Sequence, residues 1–266
     1  MSAASSAPGF APRTLGKTGL RVGPLGLGAS YGVGDADIEW AVDHGCNYLY
    51  WGSLRRRGFG RGLAHVLRAR RQDVVLVVQS YARVGLALKV SLERALGQLG
   101  TDYADVLLLG WWNGAPWGGV ADAAARLREA GKTRFIGLST HKRPLAGQLV
   151  GDAAGLVDVV HVRYNAAHRG AEKEVFPHRV PGGPGLVAFT ATRWGALLKP
   201  QLDGHTPTAG DCYRFVLTEP AVDVCLSGPR NGDDVRAAVA ALARGPMTLD
   251  ERGWMRAVGD RVYGRR

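Results

Sequence analysis

The chain has 266 residues, 46% of them hydrophobic, which is enough material for one large core or two small ones. Its net charge of +11 raises nucleic acid as a partner. The basic residues are spread out, however, clustering only at Arg55-Arg56-Arg57 and at Arg68, Arg70 and Arg71. No stacking aromatics interleave with them, and this argues against that partner. No stretch approaches the roughly 20 apolar residues that span a bilayer, and residues 1–12 lack the apolar core of a secretory signal. Cys46, Cys212 and Cys225 are far apart and form no CxxC pair, so neither a disulfide framework nor an iron–sulfur motif is indicated. The expectation is a cytoplasmic protein with reduced thiols, no membrane partner and no metal. Residues 1–12 read as a flexible lead-in and residues 13–266 as a single domain.

The segment Thr14–Val22 comes first, with a turn through Lys17–Gly19 between apolar ends. It predicts a small hairpin placed as a plug. Short apolar runs then alternate with amphipathic stretches, the pattern of βαβ units around a parallel sheet. The predicted strands are Leu25–Gly28, Asn47–Tyr50, Val74–Val78, Asp105–Leu109, Thr133–Leu138, Val157–Val162, Leu186–Phe189 and Val222–Leu226. Between them, Leu88, Leu92, Leu96 and Leu99 share one face of a helix over Leu86–Leu99, and a helix over Val120–Ala130 stops at Gly131. Two more helices, Asp233–Arg244 and Leu249–Tyr263, close the chain. Eight such strands predict an α/β fold, a (β/α)8 barrel of the usual length of about 250 residues. A doubly wound sheet is disfavoured, because Gly26-Leu27-Gly28-Ala29-Ser30 lacks the G-x-G-x-x-G spacing. In such a barrel the working site lies at the carboxyl ends of the strands.

Five segments resemble the aldo-keto reductase superfamily, in order along the chain. They are Leu15–Leu20, Leu25–Gly28, Leu99–Asp105, Gly131–Ser139, and Val162–Asn165 with His168-Arg169. The resemblance implies reduction of carbonyls with NAD(P)H by an Asp, Tyr, Lys and His set. At the matching positions this chain has Tyr50 for the Asp, Arg55 for the Tyr, Gln79 for the Lys and Gly110 for the His. A guanidinium donates no proton near neutral pH, and a neutral Gln79 lowers no neighbour's pKa by charge. Chemistry through the ordinary tetrad is therefore excluded, and losing its general acid alone costs about 10²–10⁴ in rate.

The resemblance also implies a cofactor site. Ser139, Thr140 and His161 would hold the nicotinamide amide, Tyr164 would stack on the ring, and Thr190, Arg193 and Gly195 would meet the pyrophosphate. Arg230, after the last strand, favours NADP(H) over NAD(H) because it can pair with a 2′-phosphate. The usual adenine-contacting Glu-Asn pair is replaced by Ala237-Ala238. Around the mouth, Tyr50, Ser53, Arg55, Arg56, Arg57, Gln79, Tyr81, Asn113 and His141 are polar, and Trp51, Trp111, Trp112 and Trp117 are large aromatics. Such a concentration reads as a rebuilt ligand site, with Tyr50 the first candidate proton donor. His141 and His161 have no third ligand at metal-site spacing. Three readings follow: an NAD(P)H-dependent oxidoreductase with a non-standard site, a catalytically silent barrel that binds a ligand or partner protein, and a non-redox lyase or isomerase that grips an anionic small molecule through its arginines.

Overall fold

The computed structural model describes residues 9–29, 32–52, 55–201 and 204–264, so the Ser53 candidate lies outside the described residues. Strands β1 (Arg13–Thr14) and β2 (Arg21–Val22) form an antiparallel hairpin. The remaining strands are β3 (Leu25–Gly28), β4 (Tyr48–Trp51), β5 (Val75–Ser80), β6 (Ala104–Leu109), β7 (Thr133–Thr140), β8 (Val159–Arg163), β9 (Gly185–Phe189) and β10 (Val224–Ser227). They are parallel and close in chain order, with β10 beside β3. Parallel neighbours require crossover connections. The described helices are α1 (Asp35–Asp43), α2 (Arg57–Arg70), α3 (Gly85–Leu99), α4 (Gly118–Glu129), α5 (Arg143–Val150), α6 (Ala171–Glu174), α7 (Ala209–Leu217), α8 (Gly232–Leu242) and α9 (Leu249–Gly264). The expected barrel is present. Among the described residues no helix is long and apolar enough to cross a membrane.

Strand alternation sorts the core into two shells. Tyr48, Tyr50, Val75, Val77, Val106, Leu108, Val159, Val187 and Val224 fill the barrel interior, and Leu15, Leu20 and Val22 of the hairpin close its amino-terminal end. The intervening residues, among them Leu49, Trp51, Leu76, Val78, Val160 and Val162, pack outward against the helices. Glycines of β3 make room for the bulk of β4: a Cβ on Gly26 would lie 3.0 Å from the Tyr48 ring. Phe10, before the hairpin, also packs against the core.

A repeated device fixes the amino-terminal ends of the strands. Asn47, before β4, accepts the Gly23 amide at 2.9 Å through Oδ1. Asp105 accepts the Leu76 amide at 2.8 Å, Asp158 the Ile136 amide at 2.9 Å and Asp223 the Leu186 amide at 2.8 Å. Each acid also meets a cation. Arg71 and Arg134 stand 2.9 Å from Asp105, Arg179 stands 3.0 Å from Asp223, and Lys17 of the hairpin turn stands 3.3 Å from Asp158. Helix ends follow ordinary capping chemistry. Gly131 takes φ +69° just past α4, and Thr208 and Asp211 form a reciprocal capping box at α7.

Candidate active site at the carboxyl ends of the strands

The inward parity that places Tyr48 and Val75 in the core carries on to Tyr50, Gln79, Gly110 and Ser139 at the opposite end of the barrel. The Tyr50 hydroxyl donates to Gln79 Oε1, and Gln79 Nε2 lies 3.5 Å from Ser139 Oγ. Ser139 Oγ in turn accepts the Trp111 amide at 2.9 Å. Two glycines are needed for this arrangement. A Cβ on Gly110 would lie 2.5 Å from Gln79 Nε2, and one on Gly52 would lie 2.6 Å from both the Gln79 Cβ and the Tyr50 ring. Tyr50, Gln79, Gly52 and Gly110 are therefore one packed unit, held by a neutral hydrogen bond.

Arg55 lies beside this unit. Its Nη2 donates to the Gln79 carbonyl oxygen at 2.6 Å, and its guanidinium lies 5.8 Å from the Trp51 ring centroid. Burial lowers its pKa, and the adjacent Tyr50 opposes that shift. The group stays cationic at neutral pH. Arg56 and Arg57 are exposed where α2 begins. Tyr81, Asn113 and His141 are exposed at the rim. The rim also carries Trp111 and Trp117, 59% and 61% exposed, whereas Trp51 and Trp112 are buried. Trp111 adopts φ +55°, a conformation uncommon for a bulky side chain.

The other candidate residues divide. Ser139 is at the mouth. Thr140, one residue on, has the opposite parity and is buried, accepting the Lys142 amide through Oγ1 at 2.9 Å. His161 faces inward but is sealed below the mouth, its Nε2 2.8 Å from the Tyr48 hydroxyl. Burial pushes its pKa down to about 3, so the ring is neutral. The same burial raises the Tyr48 hydroxyl well above its ordinary value. Tyr164 does not reach the mouth. It is fully buried against Phe176 and Phe215, and its hydroxyl donates to Glu172 at 2.8 Å. The aromatic ring at the mouth is instead Phe189, which ends β9 and meets the His141 ring edge-on at 5.5 Å.

After β9 the chain turns through left-handed backbone at Thr190, Arg193, Trp194 and Gly195, with φ of 63°, 51°, 52° and 84°. This leaves the Ala191, Thr192 and Trp194 amides with no acceptor among the described residues. The Arg193 guanidinium donates to the Val262 carbonyl. Arg230 lies at the start of α8, 78% exposed, its Nε 2.9 Å from Asp234.

Sequence reasoning passed over two arginines. Arg83 donates to the carbonyls of Gly110 at 3.0 Å and Trp111 at 2.7 Å, lies 4.4 Å from the Trp112 ring centroid, and accepts the Trp117 indole N–H on its own carbonyl at 3.1 Å. Arg163 ends β8 two residues beyond His161, paired in register with Phe189. Strand parity marks Arg163 as a mouth position, whereas no periodic signal marks Arg83. Among the described residues no three metal-ligating side chains come together.

No protein-family profile matches the sequence. Among solved structures, the aldo-keto reductase AKR11C1 from Bacillus halodurans in its holo form superposes with a TM-score of 0.74 at 22% identity, over 93% of this chain and 95% of that one. The apo form of the same protein gives 0.75 with the same identity and coverage. The chain has the barrel fold seen in that aldo-keto reductase, and the likeness extends over nearly the whole of both chains.

Proposed function

We propose that this protein is an aldo-keto-reductase-like, NAD(P)H-dependent oxidoreductase with a rebuilt site, located in the cytoplasm and acting on a small molecule. The observation that carries this reading is the placement of Arg55 beside the buried Tyr50–Gln79 pair, in a barrel whose solved likenesses are aldo-keto reductases. The residues fit a nicotinamide dinucleotide at two places. The unaccepted amides of Ala191, Thr192 and Trp194 suit a pyrophosphate, and the Phe189 ring, with Ser139 also at the mouth, suits the nicotinamide. Exposed Arg230 favours a 2′-phosphate, hence NADP(H). His161, Thr140 and Tyr164 are directed elsewhere and do not enter this reading. When bound, the cofactor supplies hydride to a carbonyl carbon. Arg55 meets the negative charge that develops on the carbonyl oxygen, and Tyr50, next to it, supplies the proton. Removing such a charge-stabilising donor costs about 10²–10³ in kcat.

The test uses the tryptophans of the rim. Trp111, Trp117 and Trp194 are at least half exposed, so NADPH binding there quenches their fluorescence saturably. A titration that stays linear to millimolar NADPH overturns the proposal. Turnover of a carbonyl panel that falls about 10²–10³-fold in Arg55→Ala, and is lost in Tyr50→Phe, supports the assigned roles. A second reading, a barrel that binds its ligand without turnover, is favoured by the closed packing of Tyr50, Gln79, Gly52 and Gly110. Saturable NADPH binding with no turnover, or turnover indifferent to Tyr50→Phe, selects that reading. The non-redox reading requires an anionic ligand that binds through Arg55 with no nucleotide present.

A further inference from the structure

At the edge of the mouth, around Arg163, the structure holds a second concentration of positive charge. A cavity of about 400 Å³ opens beside the end of β8, lined by Arg143, Arg163, Ala167, His168, Arg169, Gly170 and Tyr263. Its arginines are not equally neutralised. Arg143 is bound to Glu174 at 2.7 Å and Arg169 to Asp260 at 2.6 Å. Arg163 has no carboxylate partner among the described residues, and neither has nearby Arg193. Gly170 allows the cluster to close up, since a Cβ there would lie 2.4 Å from Arg143 Nε. Arg143, Arg163 and Arg193 together repel a further positive charge. With burial as the larger cause, they hold His168 down to about 4. A partly buried guanidinium without a carboxylate partner, in an open pocket lined by other arginines, is favoured by an anion beside it.

We propose that this cavity is a binding site for a phosphoryl group, carried by a small metabolite or present as free phosphate, in which Arg163 is the principal ligand and Arg143 and His168 complete the set. The volume suits a small phosphorylated compound. Ala191, Thr192 and Trp194, whose amides are proposed for the cofactor, do not line this cavity, and the proposal does not depend on that one.

Inorganic phosphate is the probe, titrated into the whole chain in a phosphate-free buffer and followed by calorimetry, with phenyl phosphate as an organic monoester. Saturable binding of either is expected, weakened about ten- to a hundredfold in Arg163→Gln and unchanged in Arg126→Gln, an exposed arginine on α4. Arg163→Gln relieves repulsion, so its unfolding midpoint without phosphate matches or exceeds that of the parent, and lost binding is then not lost folding. No saturable binding, or equal weakening in both variants, overturns the site and indicates diffuse attraction to a basic surface. Binding of the monoester alone identifies a metabolite site, whereas equal binding of both identifies a free-phosphate site. Displacement of phosphate by NADPH also overturns the proposal, because the cavity would then belong to the cofactor. Failure of NADPH to bind leaves the phosphate result intact.

Discussion

Gly110→Ala probes the packed unit at the mouth most directly. The added Cβ would stand 2.5 Å from Gln79 Nε2 and 2.9 Å from both Gln79 Cδ and Tyr81 Cδ1. Tyr81 is 48% exposed, whereas Gln79 is buried and held by the Tyr50 hydroxyl. If Gln79 retreats, that hydroxyl loses its acceptor, at a cost of about 1–3 kcal/mol. If Gln79 stays, the overpacking costs about the same. The expected destabilisation is on the order of 2 kcal/mol by either route. Gln79→Ala alone also removes the Gln79 acceptor of the Tyr50 hydroxyl and costs about 1–3 kcal/mol. In that background the methyl of Gly110→Ala meets little, so the double variant is more stable than the sum of the singles predicts, by about 1–2 kcal/mol. Urea unfolding of the four proteins measures this, with unchanged m-values confirming a common denatured state. Additivity within about 0.5 kcal/mol would refute the claim that Gly110 exists to admit Gln79.

Other consequences are simpler. Asp105→Ala leaves Arg71 and Arg134 without their carboxylate and the Leu76 amide without its acceptor, so a loss of about 3–5 kcal/mol is expected in the same unfolding assay. His161 has a folded pKa of about 3, below its unfolded value of about 6.5. Below pH 6.5 the unfolded chain therefore takes up a proton that the folded chain refuses. Stability falls as the pH drops from about 6.5 toward 3, by at most about 1.4 kcal/mol per pH unit from this residue, and above pH 6.5 it contributes no slope. His161→Gln should flatten the profile measured between pH 7 and 5, and an unchanged slope would show that the ring is not buried neutral. Thr208→Ala removes the acceptor for the Asp211 amide and is expected to cost about 1 kcal/mol, read as a lower urea midpoint.

The barrel was legible because each strand is a short apolar run, while its limits depended on partners the sequence does not display. Strand β5 extends through the polar Gln79 and Ser80, which pair with Leu108 and Leu109, and β7 extends to Thr140 for the same reason. Helix α2 carries Phe59, Leu63, Val66 and Leu67 at helical spacing, but Gly58, Gly60 and Gly62 obscure it. Two of those glycines are there for tertiary reasons: a Cβ on Gly60 would lie 2.7 Å from the Trp51 ring, and one on Gly62 2.7 Å from Asp35 Cα. The site was legible where strand parity could be carried to the rim. Parity places Tyr50, Gln79, Ser139, Arg163 and Phe189 inward, and it turns Thr140 and Tyr164 outward. Resemblance alone selected Tyr164, and parity along β8 would have selected against it. The locked state of His161 depends on Tyr48, more than a hundred residues away, so no local pattern reports it.

The acid and amide clasps at the amino-terminal ends bear on how such a mouth can change at all. Asn47 reaches back to the amide of Gly23, just ahead of β3, and Asp105, Asp158 and Asp223 each tie one strand to the strand before it. The cylinder is thereby assembled as four clasped pairs, whose alignment is decided at the end remote from the opening. Residues at the opening stand outside those clasps, although Gly110 still donates its amide to Ser80 there. A change at the opening, at Gly110 or Gln79 for instance, costs stability locally while these four clasps at the other end stay in place.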